Sequence, residues 1–270
     1  MMKILSIFFK GLFIISCSYG LSLTLGTSAS FDTFISYYTT QSNILCLLVM
    51  FIFFIWEFVG HGRNPRFLRV LKSMATVSIL VTFLIYHFLL RPNITPEMIN
   101  VSHGLGNILV HYITPLWFFS DYLIFDRKGT SRLSDAFLYT IFPLYYFVFS
   151  NFHAISGDLY LYGTTTSQFP YPFLDYNVFG IYGVSAAVVV ITAAVLILGM
   201  VFVTFDNIMK KPEQKYQTHL YGSISIKPNK KRQHQLFGSK NISIQTKNAE
   251  ITTILEQNTI NDLFFPDADQ

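Results

Sequence analysis

A chain of 270 residues that is 51% hydrophobic, 17% aromatic and only 13% charged does not fit an ordinary soluble domain. Its long apolar runs, separated by short charged loops, point to a multi-span membrane protein. The formal net charge of +4 is small, so its placement matters more than its size and no nucleic-acid partner is expected. Strand-like alternation is absent, which excludes a transmembrane barrel and leaves helices as the spanning element. The two cysteines, Cys17 and Cys46, fall inside apolar runs, so no structural disulfide is expected.

In chain order the apolar runs predict six spans, at roughly 5–26, 43–60, 70–90, 104–125, 136–155 and 178–204, each near the ~20 residues that cross a bilayer. The expected fold is all-α: a polytopic six-transmembrane-helix bundle. Lys10 interrupts the first run, which has a second reading as a signal peptide cleaved near Thr27-Ser28-Ala29. The length of the run favours a span. Basic residues gather in alternate loops: Arg63, Arg66 and Arg69, then Arg127, Lys128 and Arg132, then Lys210 and Lys211. The intervening regions hold Asp32, then Arg91 with Glu97, then Asp158 with Asp175. The positive-inside rule therefore makes both termini cytoplasmic. Residues 1–205 form the membrane domain. The tail, 206–270, is polar and has too little apolar surface to build a core, so disorder or dependence on a partner is expected. Its basic cluster Lys230-Lys231-Arg232 reads as a solvated charge run ahead of a headgroup contact.

The run Tyr38-Thr39-Thr40-Gln41-Ser42-Asn43 leads directly into the second apolar stretch. Polar side chains entering hydrocarbon must end the span or find partners inside it. Span four offers such partners. At about 100° per residue, His103, Asn107, His111, Thr114 and Asp121 fall within an arc of about 80°. Pro115 takes the usual amide partner from the His111 carbonyl and predicts a kink beside that histidine. Tyr86, His87, Asn151 and His153 sit near the same outer level, while Glu57, Lys72 and Asp121 are the main ionisable groups of the inner half. Three uses of these residues compete. In a hydrolase, His111 takes the proton of Thr39 or Thr40, and Gln41, Asn43 or Asn107 donates to an oxyanion. In a metal site, His87, His103, His111 and His153 converge, although no HxxxH or HExxH spacing supports it. In a purely structural role, each histidine bonds a facing hydroxyl and holds helices together. By spacing alone the structural role comes first.

Three motifs carry a family resemblance. They are Ser36-Tyr37-Tyr38-Thr39-Thr40-Gln41-Ser42-Asn43-Ile44-Leu45, then Asn107-Ile108-Leu109-Val110-His111-Tyr112-Ile113-Thr114-Pro115-Leu116 with Asp121-Tyr122-Leu123-Ile124-Phe125, then Tyr171-Pro172-Phe173-Leu174-Asp175. Over residues 5–205 the chain resembles a family of predicted six-pass bacterial membrane proteins. That family is distantly similar to the androgen-induced and androgen-dependent membrane proteins of animals, which hydrolyse lipid esters, including fatty acid esters of hydroxy fatty acids. The resemblance implies a threonine nucleophile in span two and a histidine base in span four, here Thr39 and His111, with Thr40 as the alternative nucleophile. It also implies a bacterial inner membrane and a lipid or lipid-like substrate. The pocket is expected to face outward, to be polar, and to be lined by Gln41, Ser42, Asn43, Tyr86, His87, His103, Asn107 and Asp121, with no metal and no cofactor. The alternative class is a non-enzymatic transporter or sensor. Against a transporter, Pro115 and Pro143 do not occupy matching positions of two halves. Pro172 either shapes the approach to span six or belongs to a substrate lid; the aromatic residues around it favour an interfacial belt.

Overall fold

A computed structural model describes residues 2–59, 64–93, 104–156, 159–162 and 165–210. His103, Arg63, Glu97 and the tail beyond Lys210 lie outside the described residues.

Eight helices and one small hairpin account for most of the described chain. The first two helices are α1 (Met2–Thr27) and the short α2 (Phe31–Ser36). Ser30 starts α2 by accepting a hydrogen bond from the Thr33 amide at 2.9 Å. Tyr37 is extended, and α3 (Tyr38–Phe58) begins at the next residue. The polar run is therefore the opening of a helix and not the loop before one. Helix α4 (Arg66–Leu90) closes with a π-helical turn at Tyr86–Leu90. Helix α5 (Leu105–Phe125) contains a second π turn at Leu109–Ile113. Next come α6 (Asp135–Tyr139), α7 (Ile141–Ser156), the antiparallel strands β1 (Tyr160–Tyr162) and β2 (Thr165–Ser167), and α8 (Tyr176–Ile208).

Five of these helices are long and apolar enough to cross a membrane: α1, α3, α4, α5 and α8. The expected span at 136–155 is two helices instead. Pro143 has no amide to give the Tyr139 carbonyl, and the chain breaks at Thr140, whose hydroxyl turns back to the Phe137 carbonyl at 2.7 Å. Helix α8 runs about 50 Å at 1.5 Å per residue. It bends at Gly180, whose φ of +63° lies in the left-handed region that glycine enters without penalty. Asp206, placed by the sequence in the tail, belongs to this helix and is fully buried.

Helix α4 lies between two hydrophobic clusters. Ala75 and Ile79 join Phe13, Cys17, Cys46, Met50, Phe53 and Phe118 on one side. Val77 and Val81, on the opposite face, join Tyr122, Tyr139, Tyr146, Val195 and Phe202. Outward faces of α1, α3 and α8 stay apolar and exposed, as at Phe8, Ile15, Phe51, Val189 and Ile197. At Gly20 of α1, an added Cβ would lie 2.8 Å from Leu109 Cβ, so the first helix sits close against α5.

One end of the helix bundle is held by charge. Lys10 Nζ lies 3.1 Å from Glu57 and 3.0 Å from Asp121, and Lys72 Nζ lies 2.6 Å from both Asp121 and Asp126. Lys10, Lys72 and Asp121 are almost completely buried. Asp206 accepts from the Tyr122 hydroxyl at 2.7 Å and from the Thr130 and Ser131 amides at 2.9 Å, fixing the turn after α5 to the end of α8. Removing one member of a buried ion network leaves an uncompensated charge. Lys10→Met is therefore expected to destabilise the protein by about 3–5 kcal/mol. Lys10→Met combined with Glu57→Gln and Asp121→Asn should recover part of that loss. Denaturant unfolding in detergent checks both.

Candidate active site

Thr39 occupies the second position of α3, because Tyr37 breaks the helical path and Tyr38 restarts it. Its hydroxyl lies 3.2 Å from His111 Nε2 on α5. The other ring nitrogen, Nδ1, lies 3.1 Å from the Asn107 carbonyl. A carbonyl only accepts, so Nδ1 carries the proton and Nε2 presents a lone pair to the threonine. The imidazole is held in place by Tyr86, whose ring stacks on it with centroids 3.9 Å apart and planes 23° from parallel. Asn107 in turn donates to the Tyr86 hydroxyl. Both aromatic partners stand on π turns, Tyr86 at the first residue of one and His111 in the middle of the other. The expected kink at Pro115 takes the form of this widened turn, in which the Thr114 amide bonds to the Leu109 carbonyl five residues back.

The first turns of α3 brace the threonine. Asn43 donates to the carbonyls of Thr39 at 2.7 Å and Val110 at 3.1 Å, tying α3 to α5. Ser42 lies 2.8 Å from the Thr82 hydroxyl and donates to the Thr39 carbonyl at 3.0 Å. Gln41 donates to the Ile35 carbonyl at 2.9 Å and anchors α2. None of these side chains lines the cavity beside Thr39. Asn43 spends both amide hydrogens on carbonyls and is a helix brace, while Gln41 and Asn107 each donate to a partner within the protein. Thr40, about 100° further round α3, is buried; the hydroxyl facing His111 is that of Thr39.

Two other expected pocket residues lie elsewhere. His87 Nδ1 lies 3.2 Å from the Tyr112 hydroxyl, which also accepts from Arg91 at 3.1 Å. This places His87 beside the site but outside the cavity. Asp121 is ten residues below His111, about 15 Å along the helix, and belongs to the ion network. Depth along the helix and its pairing with Lys10 and Lys72, not its face, take Asp121 out of the site. His153 pairs with Asp32 at 3.0 Å. Among the described residues no three His, Cys, Asp or Glu side chains come together as a metal site.

The cavity beside Thr39 has a volume of about 70 Å³. The sequence predicts a polar cavity drawn from spans two, three and four. The walls are instead mainly apolar, formed by Val81, Ile85, Leu90, Leu144, Phe147 and Ile191, with Thr39, Tyr86 and Tyr171 at the polar end. The hydrogen-bonding side chains of the first turns of α3 bond between helices, away from the cavity, which leaves mainly hydrocarbon to line the space. Leu90 and Leu144, on α4 and α7, line the cavity and are also exposed. Tyr171, expected in an interfacial belt, reaches Thr39 and is the component of the site that sequence reasoning misses. The Tyr-Pro motif that contains it is the available signal. The same motif ends in Asp175, which accepts from the Asn177 amide at 2.8 Å and from Ser167 at 2.6 Å, capping α8 and fastening β2.

Replacing the donor of Asn43 tests the bracing role. Asn43→Ala is expected to cost about 2 kcal/mol, and Asn43→Asp more, because a carboxylate would face two carbonyl oxygens. Unfolding in detergent should rank wild type above Asn43→Ala and Asn43→Asp last.

Comparison with protein families, with curated proteins and with solved structures finds no match to this chain.

Proposed function

We propose that the protein is an intramembrane lipid-ester hydrolase in which Thr39 is the nucleophile and His111 the base. The observation that carries this reading is the 3.2 Å contact between Thr39 Oγ1, which lines an apolar cavity, and the lone pair of His111 Nε2 behind it. A hydroxyl attacks an ester only when a base removes its proton as the bond forms. His111 Nε2 takes that proton while Thr39 Oγ1 bonds to the ester carbon and the carbonyl electron pair moves onto oxygen. Collapse of the tetrahedral intermediate expels the alcohol, which leaves with the proton from His111. Water, deprotonated by the same nitrogen, then releases the acid and restores Thr39. The apolar walls suit an acyl chain, and the exposure of Leu90 and Leu144 supports lateral access from the lipid.

The reading includes the topology. In it, α1, α3, α4, α5 and α8 cross the membrane, and residues 135–156 complete a sixth, broken crossing. Both termini are cytoplasmic, in a bacterial inner membrane. The arginines and lysines of the loops at the ion-network end support that orientation. So does the exposed apolar surface of the outward helix faces.

A fluorophosphonate probe tests the chemistry. The detergent-purified protein is expected to label at Thr39. Thr39→Ala and His111→Ala should each abolish labelling, and Thr40→Ala should leave it intact. Absence of labelling in the wild type, or labelling indifferent to Thr39 and His111, removes the hydrolase assignment and leaves the contact as a helix-to-helix bond.

A further inference from the structure

Tyr171 stands where an ester hydrolase needs a donor to the developing oxyanion. Its hydroxyl reaches the Thr39 side chain and the backbone of Tyr38 and Thr39. The ring is fixed by its neighbours: Tyr37 with centroids 5.9 Å away, Tyr146 at 6.1 Å, and Phe173 stacked at 5.4 Å. Both Tyr171 and Thr39 line the cavity. The backbone groups it meets belong to the first turn of α3, where the earliest intrahelical bond is from the Gln41 amide to the Tyr37 carbonyl, and Tyr37 supplies no side-chain cap. The amides of Tyr38 and Thr39 are therefore left over at the helix start, beside the phenol. Thr39 Oγ1 faces His111, and its remaining lone pairs are open to a donor on the Tyr171 side.

We infer that Tyr171 is a catalytic residue of the proposed hydrolysis, its phenol donating a hydrogen bond to the oxyanion that forms when Thr39 attacks the ester. The geometry favours this role. In a tetrahedral intermediate the attacking oxygen and the oxyanion are bonded to the same carbon, so a donor beside Thr39 Oγ1 on the cavity wall is also close to the oxyanion. No proton leaves Tyr171: the phenol donates throughout, while the Thr39 proton passes to His111 and on to the alcohol. Burial pushes the Tyr171 phenol well above its ordinary range, which keeps its proton in place at neutral pH. Asn43, Gln41 and Asn107 do not line the cavity, whereas Tyr171 does.

The inference rests on the hydrolase reading, and the test separates the two. Wild type and Tyr171→Phe, full length and in detergent, are compared on p-nitrophenyl octanoate and its thiono analogue, whose sulfur is a poor hydrogen-bond acceptor. Tyr171→Phe is expected to lower kcat by about 100-fold with KM little changed, and to erase most of the preference for the oxygen ester. A Tyr171→Phe protein with wild-type kcat, or one slowed equally on both esters, overturns the role of Tyr171 while the hydrolase reading stands. A wild type that neither turns over ester nor takes the fluorophosphonate overturns both. Ring-fluorinated tyrosine at position 171 covers the case in which Tyr171→Phe fails to fold. It keeps the shape and lowers the phenol pKa, so the alkaline loss of activity should move to lower pH. An unmoved profile overturns the proposal.

Discussion

Burying charge in an apolar bundle is the constraint on which this architecture depends. Lys10, Lys72 and Asp121 are removed from solvent, and each is tolerable only while the others are present. Because they stand on α1, α4 and α5, with Glu57 from α3, the network fixes the order and depth of four helices at one end. Asp206 extends the same logic to α8 through the Tyr122 hydroxyl and two loop amides. Once that end is locked, the opposite end can carry a cavity and irregular turns without losing the arrangement.

At the cavity end the forces are different. No ion pair joins Thr39, His111, Tyr86 and Tyr171; neutral hydrogen bonds and ring stacking hold them. Neutrality suits a site in hydrocarbon, since every group can be buried without a counter-charge. It also places the threonine among groups that have definite proton roles. His111 accepts, Thr39 donates to it, and the Tyr171 phenol stands beside Thr39. The same bonds would hold helices together in a protein without catalytic activity, which is why the decisive measurements concern chemistry and not stability.

The five long apolar helices are legible in the sequence because about 20 consecutive apolar residues match the thickness of the hydrocarbon layer. The interruption near Thr140 is not. Pro143 stands in plain view, but a proline in a membrane span can bend a helix as easily as break it. Periodicity misplaces the start of α3 at residue 43 because six polar residues in a row resemble a loop. They are helical because α2, α4 and α5 supply their partners, and those contacts span 40 to 72 positions of sequence where they reach Thr82, Val110 and His111. The pairing of His111 with a threonine can be proposed from sequence, but the choice of hydroxyl depends on helix phase, which the extended Tyr37 sets. Asp121 is buried in the bundle as its stripe implies, but a stripe read by angle alone does not register that it lies about 15 Å deeper than His111.

The irregular turn around His111 bears on how such a site could arise. A π turn is, in effect, one extra residue accommodated in an α-helix. Tyr86 and His111 each stand in one, on helices that face each other. Single-residue insertions are small genetic events, yet here each would rotate the rest of its helix by roughly a quarter turn. An ancestor with two regular helices would present a different face at this depth. Tyr86 opens its turn and keeps the register of α4, so stacking the imidazole on the phenol would depend on the insertion around His111, and a later deletion there would undo it without altering any of the side chains involved.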